Sequence, residues 1–116
     1  MVNATLKREI NDRIYTLEMT GHAGYAKEGT DIVCAACSAL AYAAYSTLVT
    51  FAEAGHCVID EAAVGAQGEP ELRLCVKAHE GVHDALVMTI FAVLAHGLEA
   101  VARKYPCNVG FDLINN

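Results

Sequence analysis

Tryptophan is absent from the sequence, proline occurs only twice, and basic residues are fewer than acidic ones. Eight Lys and Arg against fourteen Asp and Glu give a net charge of −6, which argues against nucleic acid as a direct ligand because phosphate would be repelled. Only 19% of residues are charged and 54% are hydrophobic, unlike a disordered chain. We therefore predict a single domain over residues 1–116 with a buried core.

A disulfide framework is also not expected. Five cysteines are an odd number, so they cannot all pair within the chain. The first residues lack the basic region and long apolar run of a secretory signal peptide. We predict a cytoplasmic protein with reduced thiols.

The segment from Ile32 to Ala52 carries no charge and is long enough to span a bilayer. It is rich in Ala, Ser, Thr and Tyr, and no Lys/Arg cluster flanks it to set a topology. A helix that is small or apolar nearly all round also suits the centre of a soluble domain or of a dimer. We predict that this segment is a helix of a soluble domain and that the protein has no membrane partner.

Hydrophobic periodicity and turn signals predict seven elements in the order ββαββαβ. The predicted strands are Val2–Glu9, Arg13–Thr20, Val58–Val64, Glu71–Ala78 and Val109–Ile114. One helix follows a cap at Thr30 or Asp31 and ends near Ala54, a turn covers residues 65–70, and a second helix covers Val82–Lys104. The apolar stripe of the second helix is predicted to be Leu86, Ile90, Val93, Leu94, Leu98 and Val101. Since hairpins require antiparallel pairing, the fold class is α+β, a mostly antiparallel sheet covered by two helices.

A glycine-rich loop precedes a cysteine in the first turn of the first helix. Gly21, Gly24 and Gly29 indicate a mobile loop. The positive end of the helix would favour the Cys34 thiolate, and free amides there could stabilise an oxyanion. His22 could fold back onto Cys34, which would give an activated nucleophile and a proton donor.

Two further residues have candidate roles beside this pair. Asp31 could orient His22, or it could only cap the helix. Ser38 lies one turn beyond Cys34 on the same helix face and could hydrogen-bond its sulfur. The alternative interpretation is that Cys34 packs as a small buried hydrophobe, as most cysteines do.

The run GHAGYAKEGTDIVCAACSAL resembles the signature of the Prp family of ribosomal-processing cysteine proteases, and the later YPCNV stretch is similar more weakly. The resemblance implies a catalytic pair at His22 and Cys34, with Asp31 and Ser38 as supporting residues. It also implies a homodimer that removes the N-terminal extension of a precursor of large-subunit ribosomal protein twenty-seven during ribosome maturation. We accordingly expect no cofactor and no bound metal.

Cys37 departs from the family pattern, in which an aliphatic residue is usual at that place. The resulting spacing of Cys34 and Cys37 is that of a thiol–disulfide exchange motif, although neither proline is placed as such a site requires. Residues 79–83, HEGVH, match the HExxH zinc motif, but Gly81 weakens a helix there. A module that binds a ribosomal protein without cutting it is the remaining alternative.

Overall fold

The structure, a computed structural model, describes residues 1–27, 31–64 and 71–116. The predicted order ββαββαβ and the α+β class are confirmed. The elements are β1 (Val2–Glu9), β2 (Ile14–Thr20), α1 (Ile32–Glu53), β3 (Cys57–Val64), β4 (Leu72–Ala78), α2 (Val82–Lys104) and β5 (Val109–Asn115). The predictions for Gly29, Thr30 and the turn over residues 65–70 lie outside the described residues.

The five strands form one sheet in the order β3-β4-β2-β1-β5. Three of the four pairings are antiparallel, and only β1 with β5 is parallel. Asn3 pairs with Thr20, and Val2 pairs with Val109. The end of β2, the start of β1 and the start of β5 therefore meet at one edge of the molecule.

One face of the sheet is buried under both helices, and strand alternation decides which side chains it contains. In β2 the buried residues are Tyr15, Leu17 and Met19, as the alternating pattern predicts. The opposite face is polar, and there Arg73 donates to Glu18 at 3.1 Å. The hydrophobic core therefore lies on a single side of the sheet.

The buried face of α2 differs in part from the predicted stripe. Leu94 and Leu98 are buried as predicted, whereas Val93 is 63% exposed. Val87 and Phe91 were not in the predicted stripe and are buried. The prediction failed because apolar residues occupy more than one face of α2, so periodicity does not select the face that meets the sheet.

Both helices are long and apolar enough to cross a membrane by length and composition alone. They lie side by side on the same sheet face, in contact with each other, and each has a row of buried residues. A helix in a protein core can be as long and as apolar as a membrane-spanning helix, so length and composition are weak evidence that α1 or α2 spans a membrane.

Tyr15 connects the central strand to the first turn of α2. Its hydroxyl donates to Asp84 Oδ1 at 2.6 Å, and its ring stacks on Phe91 with centroids 5.2 Å apart. Burial raises the pKa of Tyr15, and the neighbouring Asp84 carboxylate raises it further. The phenol is therefore a permanent donor that fixes α2 against β2 at this end.

We expect Tyr15→Phe to lower the free energy of unfolding by about 1–2 kcal/mol, because the charged hydrogen bond is lost while the ring contacts stay. Urea unfolding followed by circular dichroism measures the change. The matched control is Tyr42→Phe, at a partly exposed position, which should change stability little. Equal effects of the two substitutions would contradict a stabilising role for the Tyr15–Asp84 bond.

Candidate active site

Cys34 is the third residue of α1 and is 9% exposed. Asp31 caps this helix, since its Oδ1 accepts the amides of Val33 at 2.9 Å and Cys34 at 3.1 Å. Short polar side chains are preferred at this place because the first-turn amides have no partner within the helix. The predicted location of Cys34 in the first turn is thus confirmed.

The same carboxylate also binds the preceding loop. Oδ2 of Asp31 accepts the amides of Tyr25 at 3.0 Å and Ala26 at 3.2 Å. Burial alone would raise the pKa of Asp31, but the four backbone hydrogen bonds outweigh burial and lower it below its usual value. Asp31 is thus an ionised carboxylate, only 8% exposed, that joins loop and helix.

The loop after β2 covers the thiol. Ala23 N donates to Cys34 Sγ at 3.2 Å, and Ala23 O accepts from Asn108 Nδ2 at 2.7 Å. The ring of Tyr25 meets the ring of Tyr105 edge to face, with centroids 5.1 Å apart. Residues 21–27 are therefore fastened both to α1 and to the turn between α2 and β5.

Two of the predicted loop glycines have backbones that other residues rarely adopt. Gly21 has φ 97° and Gly24 has φ 66°. A Cβ on Gly21 would also lie 2.2 Å from Met1 O, closer than atoms can approach. The chain can leave β2 and pass against the N-terminal backbone only with glycine at position 21.

His22 and Cys34 are neighbours in this structure without a hydrogen bond between them. The His22 side chain is exposed, whereas the sulfur accepts the amide of the next residue, Ala23. Because of that contact, standard bond lengths keep His22 Cα within about 6 Å of the sulfur. An imidazole side chain is long enough to span a separation of this size, so His22 lies within reach of the thiol.

The surroundings of Cys34 favour its neutral thiol, contrary to the expectation that the helix terminus would favour the thiolate. Burial raises the pKa of Cys34 most, and the Asp31 carboxylate raises it too, while the hydrogen bond from Ala23 lowers it. The negative charge of Asp31 thus opposes the positive end of the helix.

The amides predicted to stabilise an oxyanion are also already occupied. Asp31 accepts the amides of Val33 and Cys34 through its side chain and that of Ala35, at 3.1 Å, through its carbonyl. The donor that points at the sulfur is instead the Ala23 amide.

Ser38 lies one turn after Cys34 in α1, as the sequence requires. Its hydroxyl oxygen is buried, and among the described residues it has no hydrogen-bond partner. A buried hydroxyl without a partner costs free energy, so this group is available to the sulfur or to a ligand. The predicted hydrogen bond from Ser38 to the sulfur is therefore not formed in this structure.

The thiol–disulfide alternative is not favoured by the geometry. All five cysteines are free thiols, and Cys37 is fully buried. Burial, with smaller contributions from Cys34 and Asp31, raises the pKa of the Cys37 thiol to about 11. An exchange site needs a second thiol that is accessible and easily ionised, and Cys37 is neither. Cys37 is simply a small core residue.

The HEGVH segment does not form the face of a zinc-protease helix. β4 ends at Ala78 and α2 begins at Val82, so His79 lies outside the helix that contains His83. His83 Nδ1 instead lies 2.8 Å from His56 Nδ1, at hydrogen-bond distance. Within residues 1–27, 31–64 and 71–116, no three His, Cys, Asp or Glu side chains are grouped to hold a metal ion.

Sequence reasoning missed the contributions of Ala23 and Asn108 to the site. The two residues are 85 positions apart, so no local pattern connects them. The one available signal was the weak resemblance of the YPCNV stretch, which contains Asn108.

Comparison with known proteins gives consistent matches. A family model described as Cysteine protease Prp matches residues 1–110. The ribosomal processing cysteine protease Prp of Bacillus subtilis (strain 168) is 38% identical over 52 residues. That segment is 45% of this chain and 46% of the relative, so the match spans about half of the relative's length.

Two solved structures share the whole fold. SMU.848 from Streptococcus mutans has a TM-score of 0.69 and 25% identity, covering 100% of this chain and 96% of the other. An essential ribosomal processing protease Prp from S. aureus, in complex with a covalently linked product peptide, has a TM-score of 0.73. It is 16% identical and covers 97% of this chain and 99% of its own, which shows a common fold.

We expect Asp31→Asn to lower the free energy of unfolding by about 2 kcal/mol at neutral pH, because an amide cannot accept all four N–H groups. The lowered pKa of Asp31 adds a pH dependence. Its stabilisation is present above the unfolded pKa of about 3.9 and is lost as the pH falls through the folded pKa.

Urea unfolding of the wild type and the variant across a series of acidic pH values measures both effects. The wild type should lose stability on acidification more steeply than Asp31→Asn. Asp12→Asn, at an exposed position in the β1–β2 turn, is the matched control and should retain the wild-type slope. Parallel slopes for the wild type and Asp31→Asn would refute the assignment.

Proposed function

The chain belongs to the Prp family of cysteine proteases, and from this premise we propose that it is an endopeptidase with Cys34 as nucleophile and His22 as base. The observation that carries the proposal is the hydrogen bond from Ala23 N to Cys34 Sγ. Ala23 directly follows His22 in the chain, so this contact brings the backbone beside His22 to the sulfur. A cysteine at a helix start and a histidine within reach are the parts that thiol catalysis needs.

The reaction follows from these groups. His22 accepts the thiol proton, and the sulfur bonds to the carbonyl carbon of the scissile peptide. The tetrahedral intermediate collapses to a thioester when the amine leaves with the proton from His22. Water, deprotonated by His22, then attacks the thioester, which releases the acid and returns the proton to the sulfur. The Ala23 amide, which donates to the sulfur, and the buried Ser38 hydroxyl are the donors proposed to stabilise the developing negative charge.

The neutral, covered thiol is the resting state in this scheme. Movement of the loop admits substrate to the sulfur beside the Ala23 contact, and His22 then rotates onto the thiol. Loop movements of this kind complete the catalytic arrangement in many enzymes. The raised pKa of Cys34 is compatible with a base that acts only after substrate binds.

The proposed substrate is the precursor of large-subunit ribosomal protein twenty-seven, whose N-terminal extension the enzyme removes. The support is the ribosomal processing role in the names of the relatives from Bacillus subtilis and S. aureus. The net charge of −6 suits a basic ribosomal protein and disfavours direct binding of nucleic acid. Five free thiols support a reducing, cytoplasmic location.

We expect the reduced protein to cut its organism's precursor at one N-terminal site, read by mass spectrometry. Cys34→Ala should abolish cleavage, and His22→Ala should slow it by about 100-fold or more. Cys75→Ala, on the polar face of the sheet, is the matched cysteine control and should cut normally.

A folded wild type that binds the precursor without cutting it would replace the peptidase with a binding module. Cleavage that persists in Cys34→Ala would remove Cys34 from the mechanism.

The proposed assembly is a homodimer formed through the outer faces of the helices. An apolar cavity of about 130 Å³ lies there between α1 and α2, lined by Leu40, Ala43, Ala44, Thr47, Ile90, Val93 and Leu94. Val93, one of the lining residues, is 63% exposed. An exposed apolar surface of this kind is suited to burial against the same surface of a second copy of the chain.

Light scattering should give twice the chain mass of 12.4 kDa for the wild type. Val93→Glu should give the single-chain mass, because it places a charge in the contact. Val82→Glu, at a 67% exposed position at the start of α2, is the matched control and should remain dimeric. A wild-type mass of one chain would refute the proposed dimer, and a dimeric Val93→Glu would move the contact elsewhere.

A further inference from the structure

The side chain of Asn108 reaches the active site from the opposite end of the sequence. It belongs to the turn between α2 and β5, and its Nδ2 donates to Ala23 O at 2.7 Å. Ala23 is the residue whose amide touches the sulfur. One side chain therefore connects the last turn of the fold to the contact that covers the thiol.

The backbone of Asn108 is fixed independently of its side chain. Its amide donates to Tyr105 O at 2.9 Å, and its carbonyl accepts from Val2 N at 2.9 Å. The amide of Val109 also donates to Tyr105 O, at 3.0 Å. The turn would therefore keep its shape after a substitution at position 108, and the side-chain amide is left for a separate role.

Ala23 is held on three sides. Its methyl group is buried in the core, its carbonyl accepts from Asn108, and its amide donates to Cys34. The carbonyl and the amide belong to the same residue, so the hydrogen bond from Asn108 restrains the residue whose amide contacts the sulfur. His22 directly precedes Ala23, so holding Ala23 in place also limits where His22 can lie.

The contact that Asn108 supports is the one that favours ionisation of the thiol. An N–H that donates to sulfur stabilises the thiolate over the thiol. Burial and the Asp31 carboxylate act in the opposite direction on Cys34. Loss of the Ala23 contact would therefore leave burial and the Asp31 carboxylate opposed only by the positive charge of the N-terminus.

We propose that Asn108 is a positioning residue of the active site: its side-chain amide holds Ala23 so that the Ala23 N–H stays on the Cys34 sulfur and His22 stays beside it. The proposal rests on the proposed function for its catalytic meaning, but its effect on the thiol can be measured without any substrate. Among the described residues, the Asn108 side chain has no other hydrogen-bond partner than Ala23 O.

The test is the rate of Cys34 alkylation as a function of pH, with the modified residue identified by tandem mass spectrometry. Cys107→Ser serves as the background because Cys107 is exposed and would consume reagent. Asn108→Ala and Asn108→Leu both remove the donor, and Leu retains approximately the side-chain volume. Asn11→Ala, at an exposed position in the β1–β2 turn, is the matched control.

We expect the midpoint of the profile to rise by about one pH unit in both Asn108 variants, as for the loss of one hydrogen bond to a charged group. The limiting rate at high pH should stay equal or increase, because the thiol becomes less covered. Below the midpoint, alkylation should therefore be about tenfold slower than in the background protein. With the precursor as substrate, kcat should fall about tenfold while KM changes little.

A merely structural role gives a different result. If Asn108 only covers the thiol, the limiting rate increases and the midpoint stays at the background value, which would overturn the proposal. Circular dichroism shows whether each Asn108 variant is folded. If one variant does not fold, the other still provides the test.

The outcomes also separate this proposal from the proposed function. A shifted midpoint in a protein that cuts no precursor would retain the role of Asn108 and reject the peptidase. Efficient cleavage with an unshifted midpoint and an unchanged kcat would reject Asn108 alone.

Discussion

The carboxylate of Asp31 is the interaction on which the site depends. It accepts two amides from the first turn of α1 and two from the loop that follows β2. Neither segment could bury its free N–H groups without such an acceptor. The loop and the helix are thus positioned by one group, and the distance between His22 and Cys34 follows from it.

The same carboxylate opposes the chemistry that it positions. A buried negative charge near Cys34 raises the pKa of the thiol, whereas the hydrogen bond from Ala23 lowers it. The Asp31 carboxylate therefore stabilises the loop and the helix but disfavours the reactive thiolate of Cys34. A resting thiol that is neutral and covered is protected from oxidation and from alkylation. In the proposed mechanism, reactivity then depends on movement of the loop and on His22.

The parts of the fold and site that local pattern determines could be predicted from the sequence. Alternation placed Tyr15, Leu17 and Met19 in the core, and a capping residue before an apolar run placed Cys34 in the first turn. Two features could not be predicted. The buried face of α2 was assigned incorrectly in part, because Val93 is as apolar as its buried neighbours and only the sheet selects between them.

The contact of Asn108 with Ala23 exists only because β5 pairs beside β1, which is a long-range event. That parallel pairing has a consequence for the timing of maturation. β5 emerges from the ribosome after every other described element, and closing a loop of this length is slow. A nascent chain that has formed α1 already has Asp31 at the helix start but has nothing to hold Ala23. Assembly of the candidate site would thus be postponed until β5 docks, and partly synthesised chains would contain an incomplete site.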